Sequence, residues 1–229
     1  MTQMPVDLDP LVDFDVSGGV AVLSLRRPEK RNAVSREMWE AIERHLRLAA
    51  DRDDVRVLVI QGSGGSFSAG ADLSGIKSTQ PGAAKALTEA AAGAISAVAS
   101  FPVPSLARIE GACIGGGCSL ALACDLRFAT PGSIFGIPAV RHGLVYDEGS
   151  LARLAELIGP SRAARMLYTA ERYDGRQAAQ LGLVDECGDD LGSAVGLFVA
   201  AVLEGDPATM RATRRLLRQG ALATPGGTR

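Results

Sequence analysis

Two runs of small residues are the parts of this sequence best suited to chemistry. They are Ser66-Phe67-Ser68-Ala69-Gly70-Ala71-Asp72-Leu73 and Gly111-Ala112-Cys113-Ile114-Gly115-Gly116-Gly117-Cys118-Ser119-Leu120. Without bulky side chains, the backbone can approach a ligand closely. A helix that begins at such a run adds unpaired N–H groups and a partial positive charge. Two such junctions converging on one point would stabilise negative charge on a carbonyl oxygen, as an oxyanion hole does. Taken singly, either run reads first as a tight strand-to-helix turn. A candidate acid or base is Asp147, within Gly143-Leu144-Val145-Tyr146-Asp147-Glu148-Gly149-Ser150. It suits proton transfer if an apolar surround raises its pKa, and Leu144, Val145 and Tyr146 are placed to supply one. The plainer role is N-cap of a helix starting near Gly149, with Glu148 in its first turn, and one Asp can do both.

The other polar candidates carry less. His142, beside Arg141, reads as structural or exposed, and His45 as a surface residue of an amphipathic helix. Asp72 reads as a brace for its glycine loop. Ser119 would need an adjacent base to act as a nucleophile, and no His lies near it in sequence. Tyr146 either donates a hydrogen bond to the substrate or fills the pocket.

These residues need a frame. Val12 to Val16 and Val20 to Leu25 alternate around Ser17-Gly18-Gly19, which predicts a hairpin. Pro28 to Asn32 is a charged loop, and Ser35 caps a helix to about Ala50, with Met38, Ile42, Leu46 and Ala49 at helical spacing. Strands are predicted at Val55 to Ile60, Val103 to Ile109, Asp125 to Ala129, Ile134 to Gly136 and Leu183 to Asp185. Helices are predicted from Pro81 to about Ser100, Ser119 to Ala123, Leu151 to Ile158, Ser161 to Ala170, Gly175 to Leu181, Leu191 to Leu203 and Pro207 to Gln219. Repeated alternation argues for a mixed α/β architecture. Spacing alone leaves a Rossmann-like sheet and a spiral of ββα units both open. The dinucleotide fingerprint is absent, because Gly115-Gly116-Gly117 has no further glycine at the required offset.

Composition narrows the function classes. The chain has 229 residues, a net charge of −2, 47% hydrophobic and only 4% aromatic residues. That length suits one large core with a small helical appendage, read as 1–190 and 191–229, the tail beyond Ala223 being expected to be disordered. Basic residues alternate with acidic ones apart from Arg211, Arg214, Arg215 and Arg218, so no nucleic-acid stripe is present. The acidic start, Met1 to Pro10, lacks the regions of a signal peptide, and no apolar run spans a membrane, so a cytoplasmic protein is expected. Cys113, Cys118, Cys124 and Cys187 fit no zinc or redox spacing and read as reduced thiols, with no metal or cofactor implied.

Five segments together resemble the enoyl-CoA hydratase/isomerase, or crotonase, superfamily: Leu25 to Val34 (LRRPEKRNAV), Phe67 to Leu73 (FSAGADL), Ile109 to Leu120 (IEGACIGGGCSL), Cys124 to Ala129 (CDLRFA) and Gln180 to Asp185 (QLGLVD). The likeness runs in order from about Val12 to Asp185. It implies a crotonase-like spiral of ββα units, a homotrimer or dimer of trimers, and coenzyme A thioester substrates in fatty-acid or related acyl-CoA metabolism. By resemblance, the N–H groups of Ala71 and Gly116 form the oxyanion hole. Glu29, Lys30, Arg31, Ala33, Ala69, Gly70, Asp72 and Leu73 then line the coenzyme A path, with Ile114, Gly115, Gly117, Ser119, Pro138, Ala139 and Tyr146 around the acyl group. Replacing Gly116 with Val is expected to block the thioester, and to strain the turn if the Gly116 φ is positive.

The departures from the family are as informative. Hydratases place one Glu two residues after the Gly triplet, where this chain has Ser119. They place a second after the phenylalanine-glycine-x-proline stretch, where Phe135-Gly136-Ile137-Pro138 is followed by Ala139. Neither a hydroxyl nor a methyl replaces a carboxylate that positions water and moves its proton. Gly143 to Ser150 resembles the GLVPDxGG segment of superfamily isomerases, whose Asp moves a proton along the acyl chain. The resemblance therefore favours an isomerase using Asp147. A non-catalytic acyl-CoA carrier is the alternative, and a hydratase with a substituted water network the third reading. The chain also ends early for the family, which implies an acyl tunnel that is more open or completed by a neighbouring subunit.

Overall fold

The computed structural model describes residues 10–75 and 82–222. The acidic start before Pro10, the helix start expected at Pro81 and the tail beyond Leu222 lie outside them. The chain opens with a hairpin, β1 (Val12–Ser17) and β2 (Val20–Leu25), paired antiparallel in full register. Gly18 and Gly19 turn it with φ of 57° and 87°, the left-handed pair that a two-residue turn needs to match strand twist. Helix α1 (Arg36–Ala50) follows, its first turn capped by Ser35, whose Oγ accepts from the Met38 N–H at 3.3 Å. Its buried face carries Met38, Trp39, Ile42, Leu46 and Ala49.

Next come β3 (Val57–Gly62), α2 (Ala83–Ser100), β4 (Ser105–Ile109), β5 (Ala112–Ile114), α3 (Gly116–Ala123), β6 (Leu126–Ala129) and β7 (Ile134–Gly136). The rest comprises α4 (Glu148–Ile158), α5 (Pro160–Thr169), β8 (Arg172–Asp174), α6 (Gly175–Leu181), β9 (Glu186–Cys187), α7 (Leu191–Glu204) and α8 (Pro207–Leu222). Six strands form one sheet in the order β1-β2-β3-β4-β6-β9, parallel beyond the hairpin. The run Val57 to Ile60 is buried throughout, as a parallel strand covered on both faces must be. Strands β5, β7 and β8 form a second sheet.

Two strands followed by a helix recur as β1-β2-α1, β4-β5-α3 and β6-β7-α4, so the spiral of ββα units is the architecture. The large sheet keeps sequence order without the reversal that defines a doubly wound fold. Several sequence expectations need correction. Helix α3 begins at Gly116, not Ser119, because three small residues impose no obstacle to the first turn. The strand expected at Leu183 to Asp185 forms at β9, one residue beyond it. Strands β5 and β8 were not anticipated. His45 is buried, only 3% exposed, and stacks on Phe14 with ring centroids 5.2 Å apart.

Trp39, Phe67, Phe101, Phe135, Leu23 and Ile60 are fully buried in the main core. Helix α7 seals a second cluster of Leu106, Phe128 and Leu191, and Phe198 meets Phe128 edge-on at 5.9 Å. Helix α8 is tied down by Arg214 and Arg218, whose Nε groups donate to the two Asp125 oxygens at 2.7 and 2.9 Å. Arg214 also donates to the carbonyl oxygens of Val98, Ala99 and Phe101, at the C-terminal end of α2. No single helix among the described residues is long and apolar enough to cross a membrane.

Candidate active site

The two glycine runs emerge after adjacent parallel strands, β3 and β4, and the backbone zips them together. The Phe67 N–H donates to Glu110 O at 2.7 Å, Ser68 N–H to Ala112 O at 2.7 Å, and Ile114 N–H to Ser68 O at 2.9 Å. Gly70, at φ 95°, presses against the second run: a Cβ there would lie 2.6 Å from Ile114 O and 3.3 Å from Gly116 N. Only glycine satisfies both the dihedral and the approach.

On its other side the first run pairs with residues 31–34. Ala69 N–H donates to Arg31 O, Val34 N–H to Gly70 O, and Asp72 N–H to Val34 O, each at 2.8 Å. In this parallel bridge Val34 uses both of its groups, and those belong to the residues flanking Ala71. The Ala71 N–H therefore faces away from Val34, toward the start of α3. There a Cβ on Gly116 would sit 3.4 Å from Ala71 N and 3.3 Å from the Trp39 ring. Gly116 is the first residue of α3, where backbone N–H groups have no carbonyl of the same helix to meet. Two backbone donors thus stand side by side at a helix N-terminus, an arrangement able to receive an oxyanion. The left-handed dihedrals belong to Gly115 and Gly70, while the φ of Gly116 is not positive. A Val at 116 would clash without straining the backbone.

Asp147 is the N-cap of α4, its Oδ1 accepting from the Ser150 N–H at 2.8 Å. Its Oδ2 accepts from the Ser119 Oγ at 3.0 Å. The cap fixes one oxygen and holds the carboxylate beside the first turn of α3. Leu144 is 47% and Val145 94% exposed, so they do not surround Asp147 with an apolar wall. Tyr146 turns inward instead, and its hydroxyl donates to Gly115 O at 2.8 Å. Burial first, then the nearby Cys118 thiol, pushes that phenol well above its ordinary value, so it stays a proton donor. Pro138 and Ala139 are half-buried where β7 gives way to the turn leading to His142, which is exposed.

Glu29, Lys30 and Arg31 are exposed on the rim, and Ala33, Ala69, Ala71 and Leu73 are half-buried below them. Asp72 is a brace. It accepts from Ser74 N at 3.0 Å, Ser74 Oγ at 2.6 Å, Arg27 Nη1 at 2.7 Å and Lys30 Nζ at 3.3 Å. Partial burial opposes ionisation, yet these donors outweigh it and hold the carboxyl well below its usual range. Gly117 packs on Ser68, and a Cβ there would lie 2.7 Å from Ser68 O. Two residues the motif reading left without a role prove to be supports. The buried Asn32 donates through Nδ2 to Ser63 O at 2.8 Å and Ser66 O at 2.6 Å, while its Oδ1 accepts from the Arg27 N–H. Its φ of 54° is a conformation Asn tolerates, which is the signal its place in the turn offered. Arg27 is the second, joining Asp72 to Ala33 O. The Sγ atoms of Cys113 and Cys118 lie 3.8 Å apart, both buried. No three His, Cys, Asp or Glu side chains gather at metal-binding spacing among the described residues.

Comparison with known proteins identifies the family. The profile of the enoyl-CoA hydratase/isomerase family matches residues 15–219. A probable enoyl-CoA hydratase from Mycobacterium leprae (strain TN) is 35% identical over 183 residues, covering 78% of this chain and 71% of that one. A probable enoyl-CoA hydratase from Mycobacterium tuberculosis is 31% identical, covering 88% of this chain and 78% of that one. A crystal structure of an enoyl-CoA hydratase/isomerase family protein from Hyphomonas neptunium superimposes with a TM-score of 0.89 at 34% identity, covering 95% of this chain and 85% of the other. With five motifs, the spiral fold and the convergence of the two glycine runs in agreement, the chain belongs to the enoyl-CoA hydratase/isomerase family.

Proposed function

We propose that this protein is an enoyl-CoA isomerase-type enzyme in which Asp147 is the single acid and base. The observation that carries the reading is the Ser119–Asp147 contact, which holds the carboxylate beside the helix start bearing Gly116. In the reaction, the Asp147 carboxylate removes a proton from the carbon next to the thioester of a 3-enoyl-CoA. The electrons pass into a dienolate, whose oxygen receives hydrogen bonds from the Ala71 and Gly116 N–H groups. The Asp147 carboxyl then returns the proton to the γ carbon, leaving the double bond between the α and β carbons. Coenzyme A follows the rim at 29–33 and the chain at 69–73. Positions 119 and 139 supply no carboxylate to hold water, which favours a double-bond shift over hydration.

Asp147→Asn should abolish conversion of 3-enoyl-CoA to 2-enoyl-CoA while acyl-CoA affinity stays within about twofold of wild type, because binding rests on the backbone donors. Undiminished turnover in that variant would defeat the assignment, and hydration of crotonyl-CoA at a rate typical of hydratases would favour the third reading. A wild-type protein that binds acyl-CoA but forms no product from an enoyl-CoA panel would be a carrier.

A further inference from the structure

The peptide bond joining Gly115 to Gly116 has partners on both sides. Its N–H, on Gly116, is one of the two donors assigned above to the oxyanion. Its C=O, on Gly115, accepts from the Tyr146 hydroxyl at 2.8 Å and from the Ser119 N–H at 3.1 Å. A peptide unit is planar, with N–H and C=O pointing in opposite directions, so fixing the carbonyl aims the N–H. Hydrogen bonds to the carbonyl also polarise the amide and strengthen it as a donor, by about 10–30% per bond. The Tyr146 hydroxyl is the side-chain donor to this carbonyl, and backbone bonds hold the unit at either end. Gly115 sits at φ 53° and ψ −120°, and nothing lies within 4 Å of where its Cβ would be. Its own N–H is held by Gly136 O at 2.8 Å.

We infer that Tyr146 is a positioning residue for the oxyanion, holding and polarising the Gly115–Gly116 peptide from its carbonyl side rather than touching the acyl group. Tyr146 lies across the peptide from the point where the thioester oxygen would sit, so it cannot itself be a third donor there. It directly precedes Asp147, so one short segment delivers the proton-transfer carboxylate and aims the anion donor. Proton transfer and charge stabilisation are thereby tied to one placement of the chain. The inference rests on the reading of Gly116 as an oxyanion donor, and its test separates the two.

Tyr146→Phe removes the hydroxyl and keeps the ring. A saturated acyl-CoA carrying ¹³C at its thioester carbonyl is bound to the full-length protein, and the carbonyl stretch is read by infrared difference spectroscopy. The band should fall in frequency on binding wild type, and part of that fall should be lost with Tyr146→Phe. Isomerisation kcat should drop about 3- to 10-fold with KM nearly unchanged, the mark of an interaction that matters in the transition state. Asp147→Asn should retain the wild-type band while losing turnover. A Tyr146→Phe protein with the wild-type band and kcat would overturn the inference and leave the oxyanion reading standing. A wild-type band that does not move on binding would defeat that reading and this inference with it. If the Phe variant folds poorly, 3-fluorotyrosine at position 146 preserves shape with a more acidic hydroxyl. It should lower the bound band further, and an unmoved band counts against the proposal.

Discussion

At the residue scale, environment decides what a side chain does more than its type. Ser119 and Asp147 were recognisable from the sequence because each stands at a landmark, the glycine triplet and a helix start. Their contact was not, since 28 positions separate them and only the fold closes that gap. Leu144 and Val145 show the converse: apolar character does not guarantee burial, and an apolar residue in an exposed loop is ordinary. His45 was legible after all, because it stands three residues after Ile42 and four before Ala49, on the buried face of α1. Burial lowers its pKa, with the Val12 backbone and Asp13 opposing and Arg44 assisting. A base whose folded pKa is depressed costs nothing above its unfolded value near 6.5, about the ordinary histidine value. Below that pH the unfolded chain takes up a proton that the native state refuses, so stability falls as pH drops from about 6.5 toward the folded pKa. Urea denaturation between pH 7.5 and 5.5 should show this decline in wild type and a flatter profile for His45→Phe. Equal slopes would mean that His45 does not contribute.

At the scale of elements, the long amphipathic helices and the buried strands could be read from periodicity, and of the strands of two or three residues only β7 could. Strands β5, β8 and β9 are too short to display an alternation, and their pairing is imposed by neighbours already in the sheet. Glycine gave the clearest local signal, because certain dihedrals admit little else. Gly115, at φ 53° and ψ −120°, lies outside the regions open to other residues, although space around its Cβ position is free. Gly143 adopts a milder left-handed turn at φ 65° and ψ 25°, also with open space. Substitution by Ala should therefore cost about 2–3 kcal/mol at 115 but about 1 kcal/mol at 143, from backbone strain alone. Chemical denaturation of the two variants compares them directly. Similar costs would show that the turn at 115 relaxes into an ordinary conformation. Loss of activity should accompany the first change, since the Gly116 N–H moves with it.

At the scale of the whole molecule, the C-terminal helices are fastened by charge as much as by apolar contact. Asp125 receives the Ser105 N–H and hydroxyl at 2.8 and 2.9 Å, together with Arg214 and Arg218. Burial disfavours its charge, but the two guanidinium groups prevail and keep its pKa below the usual value. The arginine cluster was visible in the sequence; its acidic partner lay 89 residues away and was not. Removing one member of such a set leaves buried charge without a partner, so Asp125→Ala should lose about 3–5 kcal/mol. Trypsin should then cleave first within α8, while the bonds after Arg108 and Arg127 in the large sheet remain protected. Uniform digestion would show that α8 unfolds only with the whole molecule. The same architecture has a consequence for synthesis. Because the large sheet follows chain order from β1 to β4, each strand can join its predecessor as the polypeptide leaves the ribosome. The two glycine runs are in place once α3 has emerged, whereas Asp147 arrives 24 residues after its last residue, Ala123, and the α8 clasp after that. A nascent chain thus completes the paired glycine runs before it possesses the carboxylate that is held beside them.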